Sequence, residues 1–457
     1  MDLPVQQFRT KAEQGFLDAF AEAEKELPGA GNAWAAGLRR KAIQTFGSLG
    51  LPHRRIEAWK YTDLRSRLTE AYAPVRCDRA KALNEAELAA ALGKPMAKLP
   101  AYRIVIVEGA LQPELSDLAG LSTQGVEVLA LAEALENPPA WVKAHLGAIN
   151  PQSEDAIVEL NLALMTGGIV LKVGKDSNLD KPVHLIHLAG NRELASSFTR
   201  HVIVVEEGAS LDLLESYATL GGAPSLRNAV TEALVSDNAS LNHVKLQIED
   251  TDTTHLSTWL IGLKADARYT AFQFSTGAAL ARNQIYAGFD GEGSAVNISG
   301  AFLMRGRQHC DTTLLVEHRV PHCTSRELFK AVLDDETRGI FQGKIIVSPN
   351  AQKTDGKQMV QALLLSEAAE FDSKPELEIF ADDVVCGHGS TSGQIDEDLL
   401  FYLESRGLPE AEARALLIQA FVGEAVELIE SEGLRIALQR ASADWLGVKL
   451  DETPLAP

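Results

Sequence analysis

Three kinds of hydrophobic patterning succeed one another along the chain. From residue 1 to about 150 the apolar positions recur mostly at helical spacing. QQFRTKAEQGFLDAFAEAE reads as a helix stopped at Pro28–Gly29, and GNAWAAGLRRKAIQTFGSLG as a second, stopped at Gly50–Leu51–Pro52. ALNEAELAAAL is helical, YRIVIVEG has the β-branched content of a strand, and Pro138–Pro139 breaks the pattern again.

From about 151 to 395 short strand-like runs replace helices: GGIVLKV, PVHLIHLAG, RHVIVVEEG, SLNHVKLQIE, GKIIVSP and LEIFADDVV. A faint period runs through them. GASLDLL, NASLNHV, DARYTAF and GSAVNIS place Ala209, Ala239, Ala267 and Ala295 at successive intervals of 30, 28 and 28 residues. Each copy sets a turn-prone residue near an alanine and then alternates its side chains. A period of this size with short strands and tight corners predicts a mainly β chain built around a β-helix.

From Asp396 to the end the pattern is helical again. Asp396 is a good N-cap, Gly407 a stop, and Pro409 opens a second helix expected to run to Gly433. Leu417, Phe421, Ala425 and Leu428 are its expected apolar face. Three helices make a poor isolated core, so this region should pack on the β part or on a partner. The expected division is therefore 1–150, 151–395 and 396–457.

Composition narrows the function classes. The 457 residues carry a formal net charge of −20, which disfavours nucleic acid and anionic membranes as partners. Cys77, Cys310, Cys323 and Cys386 are too few and too scattered for a disulfide framework, and they fit a reducing compartment. The N-terminus shows no basic segment followed by an apolar run, and no apolar stretch reaches the length of a membrane span. A soluble, cytoplasmic protein is expected. Phosphate-loop, nucleophile-elbow, HExxH and CxxC signatures are missing from the sequence.

Two Cys/His groups remain. QHCDTTLLVEHRVPHCTSRE holds His309, Cys310, His318, His322 and Cys323. Both cysteines are adjacent to a histidine, and strand neighbours point to opposite faces, so a closed zinc site is not expected there. The other group is Cys386–Gly387–His388, after the strand-like LEIFADDVV. If the strand continues, Cys386 and His388 share a face. Spacing leaves three readings open: a structural corner, half of a metal site, or a nucleophile with its base.

The residues from KIIVSPNAQKTDG through KPELEIFADDVVCGHGSTSGQIDEDLLFYLESRGL resemble the SufB/SufD family of iron–sulfur cluster assembly proteins. HCDTTLLVEHRVPHCTSRELFKAVLDDETRGIFQGKI matches too, and GLPHRRIEAWKYTDL is similar to the arm of the family's SufD branch. The resemblance spans roughly residues 48–70 and 150–435. It implies a right-handed parallel β-helix flanked by N- and C-terminal helical regions, and a scaffold rather than an enzyme. Implied partners are a SufB-like protein and a SufC-like ATPase held by the C-terminal helices, with Leu399, Leu400, Phe401 and Tyr402 near that contact. The chain alone could form a homodimer. A transient iron–sulfur cluster, shared with the SufB-like partner, is implied at His388, with Cys386 secondary. Gly387 and Ser390 depart from the bulkier residues of the family's C-S-H-G-A-T corner. Two rivals remain: an exported β-helix acting on polysaccharide, and a self-contained zinc-binding structural protein.

Overall fold

The computed structural model describes residues 9–75, 83–150, 152, 154–190, 194–221 and 224–447; Cys77 lies outside them. Its centre is a parallel β-solenoid of about eight turns. Alternate strands feed two sheets. The first contains ten strands, running from Ala110–Leu111 and Tyr102–Val107 through Val183–Ala189 to a terminal strand, Val385–Gly393. The second contains nine and ends at Glu370–Ile379. From Ala195–Val205 onward each strand pairs in parallel with the strand two before it, so one turn contributes one rung to each sheet.

The alanine period marks one corner of three successive turns; Ala295 lies one position further on, in register with Arg268, and Ser294 takes the corner. Ala209, Ala239 and Ala267 are buried at the entry to first-sheet strands. Just ahead of them the backbone turns through positive φ at Asp176, Gly208, Asn238, Asp266, Gly293, His322 and Lys353. Gly, Asn and Asp tolerate that conformation best, which is why turn residues recur at this point in the sequence. The corners are stitched by backbone bonds: the Gly208 N–H donates to Asp237 O, and that of Asn238 to Ala265 O.

The N-terminal region does not stand apart. Helices Lys11–Ala23 and Ala33–Leu49 share a core with the outer face of the second sheet, where Phe16 meets Phe198 edge to face. Tyr102–Val107 is itself a rung of the first sheet, paired with Val183–Ala189. The GLPHRRIEAWKYTDL segment is an arm lying across the second sheet. Its Ala58 carbonyl accepts from Arg282 Nη2 at 2.7 Å and from Gln342 Nε2 at 3.1 Å.

Three helices, Glu397–Ser405, Glu410–Val426 and Glu432–Leu446, cover the outer face of the first sheet. Asp396 caps the first as expected, accepting from the N–H groups of Asp398 and Leu399. The helix expected to reach Gly433 stops at Val426, and Gly433 lies inside the next one. The buried stripe is Ile418, Val422, Ala425 and Val426, while Leu428 is exposed. No Gly or Pro marks this break. It lets two short helices lay Val422 and Leu438 in one core with Phe272 and Leu303 of the sheet, so tertiary packing overrides propensity.

Candidate functional site at the open end of the solenoid

Among the described residues the terminal strand Val385–Gly393 pairs only with Asp355–Leu364, placing Cys386 opposite Gly356 and His388 opposite Gln358. On the inner neighbour Gly356, Gln358, Val360 and Ala362 are buried, whereas Lys357 and Met359 face out. The register therefore puts Cys386, His388, Ser390 and Ser392 in rows that point into the solenoid. Ser390 Oγ meets Ser373 Oγ of the opposite sheet at 2.7 Å, across the mouth. Among the described residues no further coil covers these positions, so His388 is exposed although its row is internal one turn earlier.

Cys386 is half-buried against a small cluster of Ile345, Val347, Ala351 and Ala381. Burial pushes its thiol above the usual range; the Gly356 backbone opposes this, and the charges of Asp355 and Glu327 add to it. At neutral pH it is a protonated thiol, a weaker donor than a neutral imidazole.

The strand leaves one edge unpaired. Val385 N–H donates to Thr354 O at 2.9 Å. Amides alternate sides along a parallel strand, so those of Cys386, His388, Ser390 and Ser392 point to the free side. Among the described residues no strand lies there. On the outer side, a trough of about 710 Å³ runs past Leu328, Met359, Val385, Gly387, Gly389 and Leu428.

Two rungs behind His388 lies a residue that sequence reading missed. Glu327 is aligned with Gln358, and Gln358 with His388. Glu327 is buried, and neither of its carboxyl oxygens has a hydrogen-bond partner. Burial pushes its carboxyl up to about 8, opposed by the Ser325 hydroxyl that faces it and by the charge of Arg326. The one available signal was an acid at an inward position of TSRELFKAVL, whose alternation is otherwise small or apolar.

The first Cys/His group is dispersed. His309 faces outward under the arm, where Thr62 Oγ1 lies 2.8 Å from Nε2 and Arg67 Nη2 3.1 Å from Nδ1. Burial, reinforced by Arg67, Arg338 and Arg282, pushes it down to about 3. Cys310 is buried inside the solenoid, with its thiol raised by burial. His318 bonds Ser325 Oγ at 3.1 Å, His322 occupies a corner at φ 61°, and Cys323 is buried. Among the described residues, no three His, Cys, Asp or Glu side chains are grouped to hold a metal ion.

A second unexpected feature is a polar cluster inside the middle turns. Glu215 accepts from Thr231 at 2.8 Å and from Tyr217 at 3.1 Å, and lies 3.3 Å from His243. Lys245 Nζ contacts His255 Nε2 and Asn283 Oδ1 at 2.8 Å each, and His255 Nδ1 lies 2.7 Å from Glu249. All of these residues are buried. Phe302, Phe329 and Phe341 fill later turns with apolar bulk.

On the first C-terminal helix, Leu399, Phe401 and Tyr402 are exposed, while Leu400 is buried in the core beneath the helices. No described helix is long and apolar enough to cross a membrane.

Comparison with known proteins bears on the same regions. Residues 187–421 match the model of the SUF system FeS cluster assembly SufBD core domain, and residues 10–185 that of the SufBD protein N-terminal region. The iron–sulfur cluster assembly protein SufD of Escherichia coli is 31% identical over 396 residues, covering 86% of this chain and 89% of its own. A SufBD family protein of Synechocystis is 29% identical, covering 94% and 96%. SufD of Bacillus subtilis is 26% identical, covering 93% and 96%. With a two-sheet parallel solenoid between N- and C-terminal helices and both family models matched along it, the chain belongs to the SufB/SufD family of iron–sulfur cluster assembly proteins.

Proposed function

We propose that this chain is a non-catalytic scaffold subunit of a SUF-type assembly complex in the cytoplasm. It pairs with a SufB-like protein through the open end of the solenoid and holds a SufC-like ATPase on its C-terminal helices. The observation that carries this reading is the placement of Cys386 and His388 in inward rows of a strand with one edge unpaired. Two donors do not complete a metal site, and three or four are usual. An unpaired edge is a ready place for a partner strand. The nascent cluster is the cargo, held briefly between His388 of this chain and donors of the partner, with Cys386 secondary. His388 offers an imidazole lone pair to iron. The rows behind it close the solenoid and hold the strand in register.

The exposed Leu399, Phe401 and Tyr402 are the apolar contacts proposed for the ATPase, and Leu400 instead fastens their helix to the core. Without a SufB-like partner the same edge can accept a second copy about a two-fold axis. Co-expression with SufB- and SufC-like proteins, followed by mass measurement on a sizing column, tests the reading. A stable particle containing all three supports it. A chain that elutes free of both partners overturns it.

A further inference from the structure

We propose that Glu327 is a further cation-facing residue of this chain: the buried carboxyl that releases its proton to solvent and balances the charge when a divalent iron ion is brought to Cys386 and His388. The inference rests on the reading of that pair as the place where iron is received, and it adds a residue that the reading does not contain.

The geometry is a ladder of three rungs, Glu327, Gln358 and His388, aligned by strand register and all in inward rows. Neighbouring strands lie about 4.8 Å apart, so the carboxylate sits roughly 10 Å behind His388 measured along the backbone. That is too far for direct shared ligation with Gln358 between, but within the range over which charges interact.

The groups behind the mouth are short of donors. Both Glu327 oxygens and Gln358 Oε1 are buried without partners. Gln358 Nε2 is turned across the lumen to Gly343 O at 3.1 Å. The one hydroxyl close by, Ser325, lies 3.1 Å from His318 Nε2 and faces the Glu327 carboxyl as well. Arg326, the adjacent cation, faces the other way, with Nη1 on Asp355 O at 2.8 Å. In register with Cys386, Gly356 presents no side chain between the thiol and Ser325. Two carboxyl oxygens and an amide oxygen, with the Ser325 hydroxyl as the nearby donor, at the closed end of a mouth carrying a thiol and an imidazole, are an environment that a cation completes.

A purely structural Glu327 makes no sense of these contacts, because an apolar residue of its size would pack there without an unpaired acid. The stability readout therefore separates the two roles. The experiment titrates the full chain, alone and co-purified with its SufB-like partner, with cobalt(II) under anaerobic conditions. Cobalt absorption bands report thiolate and imidazole ligation. Melting temperature is read on the same samples.

Glu327→Gln is expected to weaken cobalt binding about tenfold without lowering the melting temperature. Glu327→Leu is expected to melt no lower than the parent chain and to show the same loss. Unchanged cobalt binding in Glu327→Gln, beside a loss in His388→Ala, overturns the proposal while leaving the role of His388 intact. Equal binding by His388→Ala and the parent, or no binding by the parent in either form, overturns the reading of the pair itself and this inference with it. A marked fall in melting temperature in both Glu327 variants assigns the residue to the fold and overturns the proposal as well.

Discussion

Trp59 lies over Arg282, with the guanidinium carbon 4.1 Å from the ring centroid. Arg282 is in turn buried and ion-paired to Asp311, which also accepts from Thr62 of the arm. The arm motif is thus a strap, fixed to the second sheet by one stacked cation and one shared carboxylate. Trp59→Ala removes a side chain that is buried at both faces and should cost about 3 kcal/mol in denaturant unfolding. Asp311→Ala and Arg282→Met each leave a buried charge without its counter-ion, and each should cost at least as much.

Much of this was legible in the residues, for physical reasons that differ from place to place. The period was readable at Ala209, Ala239 and Ala267 because each of those turns sets a small residue beside a positive-φ corner, whereas Ala295 is one position out of register. His322 was not legible as a corner residue, because Gly, Asn and Asp are the residues that ordinarily mark a positive-φ corner. Cys386 and His388 share a face because strand alternation is strict. Glu327 and the Glu215–Lys245–His255 cluster could not be read, since which positions meet inside a solenoid depends on a register between strands some 30 residues apart. The break after Val426 was hidden because no local signal marks it.

Acid sensitivity follows from the buried histidines. Burial pushes His184 down to about 3, and His201, His255 and His318 to about 4. In the unfolded chain each titrates near 6.5. Between those values the unfolded state binds more protons, so their contribution to stability is complete above about pH 6.5 and is lost progressively towards pH 4. Thermal melts in matched ionic strength should fall from about pH 6 downward, ahead of most carboxylate titration. A flat profile from pH 7 to 5 would contradict the burial of these groups.

Edge pairing is testable with one proline. The Ser392 amide points to the free side, so Ser392→Pro removes a donor that this chain does not use internally. It should weaken association with a SufB-like partner and leave the melting temperature within about 1 kcal/mol equivalent of the parent. Proline at Val385 is the wrong control, because that N–H bonds Thr354 O. Full association by Ser392→Pro would place the interface elsewhere.

The C-terminal contact divides by burial. Phe401 is 71% exposed and Leu400 only 4%. Leu399→Asp with Phe401→Asp should abolish capture of a SufC-like ATPase while the chain melts normally. Leu400→Asp should lower the melting temperature itself, because it puts a charge into the core beneath the helices. Removing the whole region 396–457 is a poor test, since it uncovers the apolar face that includes Val244, Phe272 and Leu303.

The central claim is that His388 offers a ligand to a cluster that another chain completes. The direct measurement is maturation of an iron–sulfur enzyme in cells whose only copy of this chain is His388→Ala, beside pull-down of the partners. The side chain is exposed on a terminal strand, so the complex should persist while maturation falls sharply; Cys386→Ser should fall less. A cysteine placed by His388→Cys should restore part of the activity, because a thiolate also ligates iron. Full maturation by His388→Ala, in a complex of normal composition, would contradict the claim.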